Sequence, residues 1–203
     1  MLCKRRVEDF WVSVLSAKMK GATIMRKFSA LEITIYGLGA AMFVVVGCCF
    51  PIPITGTTAH IDLGYMIMAV FAYLFGPIAG MLVGGLGRFI EDMILFGSIG
   101  SPGWLIASIC MGFLTGIIFG WTKKFNRNWT KLLVNVSGIL VVNAVFLVGF
   151  APWVSSMWNG VPYVAKLPSG VWAFITNDIA MIVLGLPLAL MLEKVVPDVK
   201  KRT

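Results

Sequence analysis

The chain's 203 residues would suffice for one or two soluble domains, but 59% of them are hydrophobic and only 13% are charged. Average soluble domains carry roughly 45–50% and 25%, so this composition, with a mean hydropathy of +0.90, excludes a soluble enzyme, a disordered tail and a secreted disulfide scaffold. The net charge of +8 would suggest nucleic acid in a soluble chain; in a membrane protein the location of the charges matters more, and no nucleic-acid partner is expected.

A span needs about 20 apolar residues to cross roughly 30 Å of hydrocarbon. In chain order the candidates are Leu31–Phe50, Ile61–Phe75, Pro77–Gly97, Gly103–Thr122, Lys131–Ala151 and Val171–Leu192. The pattern predicts an all-α polytopic bundle of six transmembrane helices over residues 25–195. An N-terminal extension (1–24) precedes it and a basic tail (196–203) follows. The extension fits no span, although Phe10, Trp11, Val14 and Leu15 could form the apolar face of an interfacial helix. The second span reaches only about 22 Å, but fused with the third it would run about 55 Å, too long for any reasonable tilt. Gly76-Pro77 is therefore expected to be a tight turn between two helices.

Basic residues set the orientation. Seven lie in the N-terminal segment, four between Lys123 and Lys131 and four from Lys194 onward, together 15 of the 17. A six-span topology puts all three groups on one side, so both termini are expected in the cytoplasm. The remaining two are Lys166, in an outer loop, and Arg88, inside span three. Three outer loops follow from this topology: Pro51–His60 with its prolines and Thr/Gly cluster, the short Ser98–Pro102, and the aromatic Pro152–Gly170.

Charges within a span are costly and usually face a bundle interior or a cavity. Gly80, Gly84, Arg88 and Asp92 recur at steps of four along span three and form one stripe. The glycines admit a close neighbour, and Arg88 can pair with Asp92, with Glu91 beside them. Asp92 lies roughly 9 Å below the outer surface, and Asn143, Asn177 and Asp178 on spans five and six lie at nearly the same depth. Trp104 and Trp172 begin their spans at that boundary, and Trp153 and Trp158 stand in the loop above. The arrangement predicts a cavity walled by tryptophans and floored by amide and carboxylate groups, suited to a small polar ligand with a flat ring. An interfacial aromatic belt is the alternative for the tryptophans, and a structural ion pair for Arg88 and Asp92.

Chemistry is less well served. The chain has no Walker A loop, so any ATP must be used by another subunit. The four cysteines have no zinc spacing and His60 is the only histidine, so neither a bound cofactor nor a metal is expected. Small residues at helix-packing spacing occur at Gly37 and Ala41, and at Ser108, Gly112, Gly116 and Gly120.

Taken in order, the stretch Gly37-Leu-Gly-Ala-Ala41, the Pro-rich loop, Phe75-Gly-Pro77, Gly80-x-x-x-Gly84-x-x-Gly87-Arg88-x-x-x-Asp92, Gly97 to Trp104, Asn177-Asp178 and Gly185-Leu-Pro-Leu188 resemble a known family. This is the substrate-binding S component of energy-coupling factor (ECF) vitamin transporters, in the riboflavin-type or UPF0397-like group. The resemblance spans residues 25 to 195. It implies a six-helix subunit that binds a vitamin or related micronutrient from outside. It also implies docking on a transmembrane coupling (T) subunit with two cytoplasmic ATPase subunits. The family's small-residue motif in the first helix carries over to Gly37 and Ala41 as the coupling-subunit interface, and Arg88 stands where close relatives are expected to have His. The expected ligand set is Arg88, Glu91, Asp92, Trp104, Asn143, Trp153, Trp158, Trp172, Asn177 and Asp178. A self-contained secondary transporter or channel for a small polar solute is the alternative; it would need inverted repeats, and none is seen between residues 31–97 and 103–192.

Overall fold

The computed structural model describes residues 29–49, 52–53, 60–98 and 100–195. The extension 1–24 with its interfacial-helix reading, the basic tail and most of the Pro51–His60 loop lie outside the described residues. Among the described residues, six helical rods make up the bundle: α1 (Ala30–Cys49), α2 (Gly64–Phe75), α3 (Pro77–Phe96), α4 (Pro102–Thr122), α5 (Asn128–Asn159) and α6 (Tyr163–Lys194). A two-residue antiparallel ribbon, β1 (Ile52–Pro53) with β2 (His60–Ile61), joins the two ends of the first loop. Four of the rods, α1, α4, α5 and α6, are long and apolar enough to cross a membrane; α2 is shorter, with 12 residues.

The short second helix occupies the centre. Nine of its twelve residues are buried, as expected of a helix that is apolar on every face. It packs against α1, α3, α4 and α6. The turn into α3 is the one the sequence implies: Gly76 takes φ +94°, its N–H bonds to the Ala72 carbonyl, and Pro77 starts the next helix. Between α3 and α4 the backbones touch at Gly80 and Gly112, where a Cβ on either would collide with the other's carbonyl. That contact explains half of the Gly80–Asp92 stripe.

The expected aromatic loop Pro152–Gly170 is instead largely helical. Rods α5 and α6 each run for 32 residues, about 48 Å, and only Gly160-Val161-Pro162 separates them. Gly160 ends α5 at φ +65°, and Pro162 leads into α6. Two of the prolines inside these rods follow wider π-type winding, Ala144–Phe150 just before Pro152 and Ala180–Gly185 just before Pro187, whereas Pro168 sits within regular α-helix. A proline lacks the N–H that would serve the carbonyl four residues earlier. For Pro152 that carbonyl belongs to Val148, and the Tyr163 hydroxyl donates to it at 2.9 Å.

The bundle has two distinct ends. One carries the α2–α3 turn, the α4–α5 connection with Lys123, Lys124 and Arg127, and Lys194. Polar contacts close it: the Tyr73 hydroxyl donates to Glu193 at 2.7 Å, and Lys123 donates to the Tyr73 carbonyl at 2.7 Å. The other end carries the ribbon and the α3–α4 and α5–α6 connections.

Candidate binding site

At this second end a cavity of about 400 Å³ opens between α3, α4, α5 and α6. Its floor is built around one cation. Arg88, on α3, directs Nη2 at Asp92 one turn on (2.9 Å) and Nη1 at Asp62 (3.1 Å) and Glu91 (3.5 Å). Asp62 reaches the cage from the residue pair ahead of α2, where its other oxygen accepts the N–H of Gly64 at 2.7 Å. Glu91 is fully buried behind the cavity, against Gly47 of α1, where a Cβ would collide with its carboxylate. The cage therefore ties α1, α2 and α3 together, and only Arg88, Asp62 and Asp92 of it line the cavity.

The walls combine flat rings with small polar groups. Tyr65, Phe96 and Trp104 supply the rings. The Tyr65 hydroxyl is bonded to Ser108 of α4 at 2.7 Å, and Ser108 in turn donates to the Trp104 carbonyl at 2.9 Å, which holds two of the rings in place. Ser101 and Ser155 share a 2.7 Å hydrogen bond between α4 and α5. On α6 the lining residues are Lys166, Ser169, Ala173 and Asn177, spaced by three or four and hence on one helical face. Asn177 is 2% exposed, and its amide oxygen has no hydrogen-bond partner among the described residues.

Of the ten residues expected from the sequence, Arg88, Asp92, Trp104 and Asn177 line the cavity. Glu91 stands behind Arg88. Asn143 and Asp178 are buried and bonded to each other across α5 and α6, with the Asn143 amide also donating to Met181 sulfur at 3.3 Å. Neither lines the cavity: Asp178 follows Asn177 by one residue and so points about 100° away from it. Trp153, Trp158 and Trp172 are 51%, 66% and 48% exposed. Ser155 and Asn159 take the inward face of α5, which turns Trp153 and Trp158 outward, as in an aromatic belt. Asp62, Tyr65, Lys166 and the serines were not anticipated. Only Lys166 gave a sequence signal, as an isolated basic residue on the other side from the basic clusters. At the remote face, Gly37 and Ala41 are both exposed on α1, and a Cβ on Gly37 would meet nothing within 4 Å.

No group of three metal-type ligands occurs among the described residues. The site is thus equipped to hold a small molecule, with a caged charge below, rings at the sides and unsatisfied polar atoms.

Comparison with known proteins agrees with this architecture. The family described as ECF-type riboflavin transporter, S component, matches residues 27–194. A UPF0397 protein of Streptococcus thermophilus is 32% identical over 162 residues, covering 75% of this chain and 86% of that protein. One from Lactococcus lactis is 34% identical over 129 residues, covering 58% and 67%. Among solved structures, the S-component for biotin from an ECF-type ABC transporter superimposes with a TM-score of 0.57 at 19% identity, covering 82% of this chain and 95% of that one. FolT bound with folic acid gives 0.54 at 23% identity, covering 78% and 93%. At such identities these two show a shared fold. The match over residues 27–194 shows more: the chain belongs to the ECF-type riboflavin transporter S component family, and is a multi-pass membrane transport subunit, not an enzyme.

Proposed function

We propose that this subunit captures a small, flat, polar vitamin or related micronutrient from outside the cell, in the cavity above Arg88. It then delivers that ligand inward with a transmembrane coupling subunit and two ATPase subunits. The observation that carries the reading is Asn177, buried on the cavity wall with an amide oxygen that no group among the described residues satisfies. Leaving a buried polar atom unpaired costs about 1–3 kcal/mol, and a ligand N–H would remove that cost. Trp104, Tyr65 and Phe96 offer flat apolar surfaces to a ring, and Asp92 offers a carboxylate to an amino or hydroxyl group. The cavity size lies within the usual range for small-molecule sites, about 300–1,000 Å³.

The assignment of the cavity mouth to the outside is supported by the basic residues gathered at the opposite end. Docking on the coupling subunit is assigned to the exposed small-residue face of α1 around Gly37 and Ala41, where a second helix could approach closely. ATP would be handled by the partner subunits alone. The test is thermal unfolding of the purified chain, without partners, against a panel of water-soluble vitamins and their precursors. A true ligand at a hundred times its dissociation constant should add about 2.7 kcal/mol of stability. A panel in which no compound raises the unfolding temperature would contradict the reading.

A further inference from the structure

The cavity is electrically two-ended. Along α6 its lining runs from Lys166 near the mouth through Ser169 and Ala173 to Asn177, about 16 Å of helix. Lys166 is half-buried, and its ammonium has no hydrogen bond or ion pair among the described residues. The floor has the opposite character. Three carboxylates, Asp62, Glu91 and Asp92, surround the single guanidinium of Arg88, and both of its terminal nitrogens are engaged by them. An anion entering the floor would meet more negative than positive charge, whereas an amino or ring N–H group would be welcomed there. The sequence adds an independent reason to look at Lys166. The other basic residues from Lys123 to Lys194 sit at the far end of the bundle, so a lysine at the mouth runs against the charge asymmetry of membrane proteins.

We propose that the ligand is amphoteric: a flat ring that presents amino or N–H donors to the floor and an acidic group to the mouth, with Lys166 selecting the acid. This rests on the cavity being the ligand site. A neutral ring would leave the Lys166 ammonium unused, and a cation extending to the mouth would be repelled by it.

The experiment is calorimetric titration of the purified full-length chain with matched probes. These are 4-aminobenzoate against 4-aminobenzamide, and pterin-6-carboxylate against pterin, with riboflavin as a neutral reference. Each acid should bind at least about tenfold more tightly than its neutral partner, as expected for a charge-assisted contact. Lys166→Met should bring the ratio close to one, and Lys166→Arg should preserve it. Neutral partners binding as tightly as the acids, or a ratio that survives Lys166→Met, would overturn the proposal. Riboflavin binding more tightly than every acid would overturn it while leaving the cavity as the ligand site. If none of the five compounds binds, the proposal is overturned, while the cavity reading stands or falls with the vitamin panel.

Discussion

Among the polar groups buried in the described part of the bundle, two clusters are built on opposite principles. Around Arg88, charge meets charge: three carboxylates, two on α3 and one from the segment ahead of α2, converge on one guanidinium, and Arg88, Asp62 and Asp92 form the floor of the cavity. Between α5 and α6, Asn143 and Asp178 share a hydrogen bond, make no ion pair among the described residues, and leave Asn143 Oδ1 and Asp178 Oδ2 without partners. The first cluster faces the cavity and the second lies behind it. A polar residue inside a membrane span is therefore not a ligand contact merely because it is costly to keep there; helix phase decides. Asn177 faces the cavity and Asp178, its neighbour, faces Asn143.

The largest effect is expected from breaking the charged cluster. Arg88→Met would leave three buried carboxylates without their cation, a loss of about 3–5 kcal/mol by analogy with broken buried ion pairs. Purified yield and unfolding temperature should both collapse; a stable variant would show that the cage does not tie α1, α2 and α3 together. Asn177→Ala should weaken ligand binding by about tenfold, the value of one good hydrogen bond. It should leave the ligand-free unfolding temperature unchanged or slightly raised, because an unsatisfied buried oxygen is removed. Asp178→Asn sharpens the contrast. An amide can keep the bond to Asn143, so stability and affinity should change by less than about 1 kcal/mol. A loss of affinity as large as that of Asn177→Ala would move Asp178 into the ligand site. Gly37→Leu should alter neither stability nor binding, since its side chain would enter open space, yet it should prevent co-purification with the coupling subunit. Normal co-purification would remove Gly37 from the docking face.

Much of the bundle could be read from the chain because membrane solvation makes long apolar runs unambiguous. The six rods, the Gly76-Pro77 turn and the Arg88–Asp92 pair follow from length limits and helical spacing alone. The segment Pro152–Gly170, expected as an outer loop, carries Pro152, Pro162 and Pro168 and is nevertheless largely helical. Here one proline follows a π-type turn that relieves its clash, one begins a helix, and one is carried within α6. The π-type turn Ala144–Phe150 shifts the phase of α5 ahead of Trp153 and Trp158, so their facing does not project from an ideal 3.6-residue repeat, whereas Trp172 shares regular helix with Asn177 and its facing does. Asp62 escaped notice for another reason: its partner Arg88 is 26 residues away, and no local spacing rule connects them.

The central claim is that the cavity between α3 and α6 is where the ligand sits. The most direct measurement is an experimental structure of the chain purified with the vitamin or precursor that stabilises it most. The account predicts a ring beside Trp104 with a donor group within hydrogen-bond reach of Asn177 and Asp92. Ligand density anywhere else in the bundle, with this cavity empty, would contradict it.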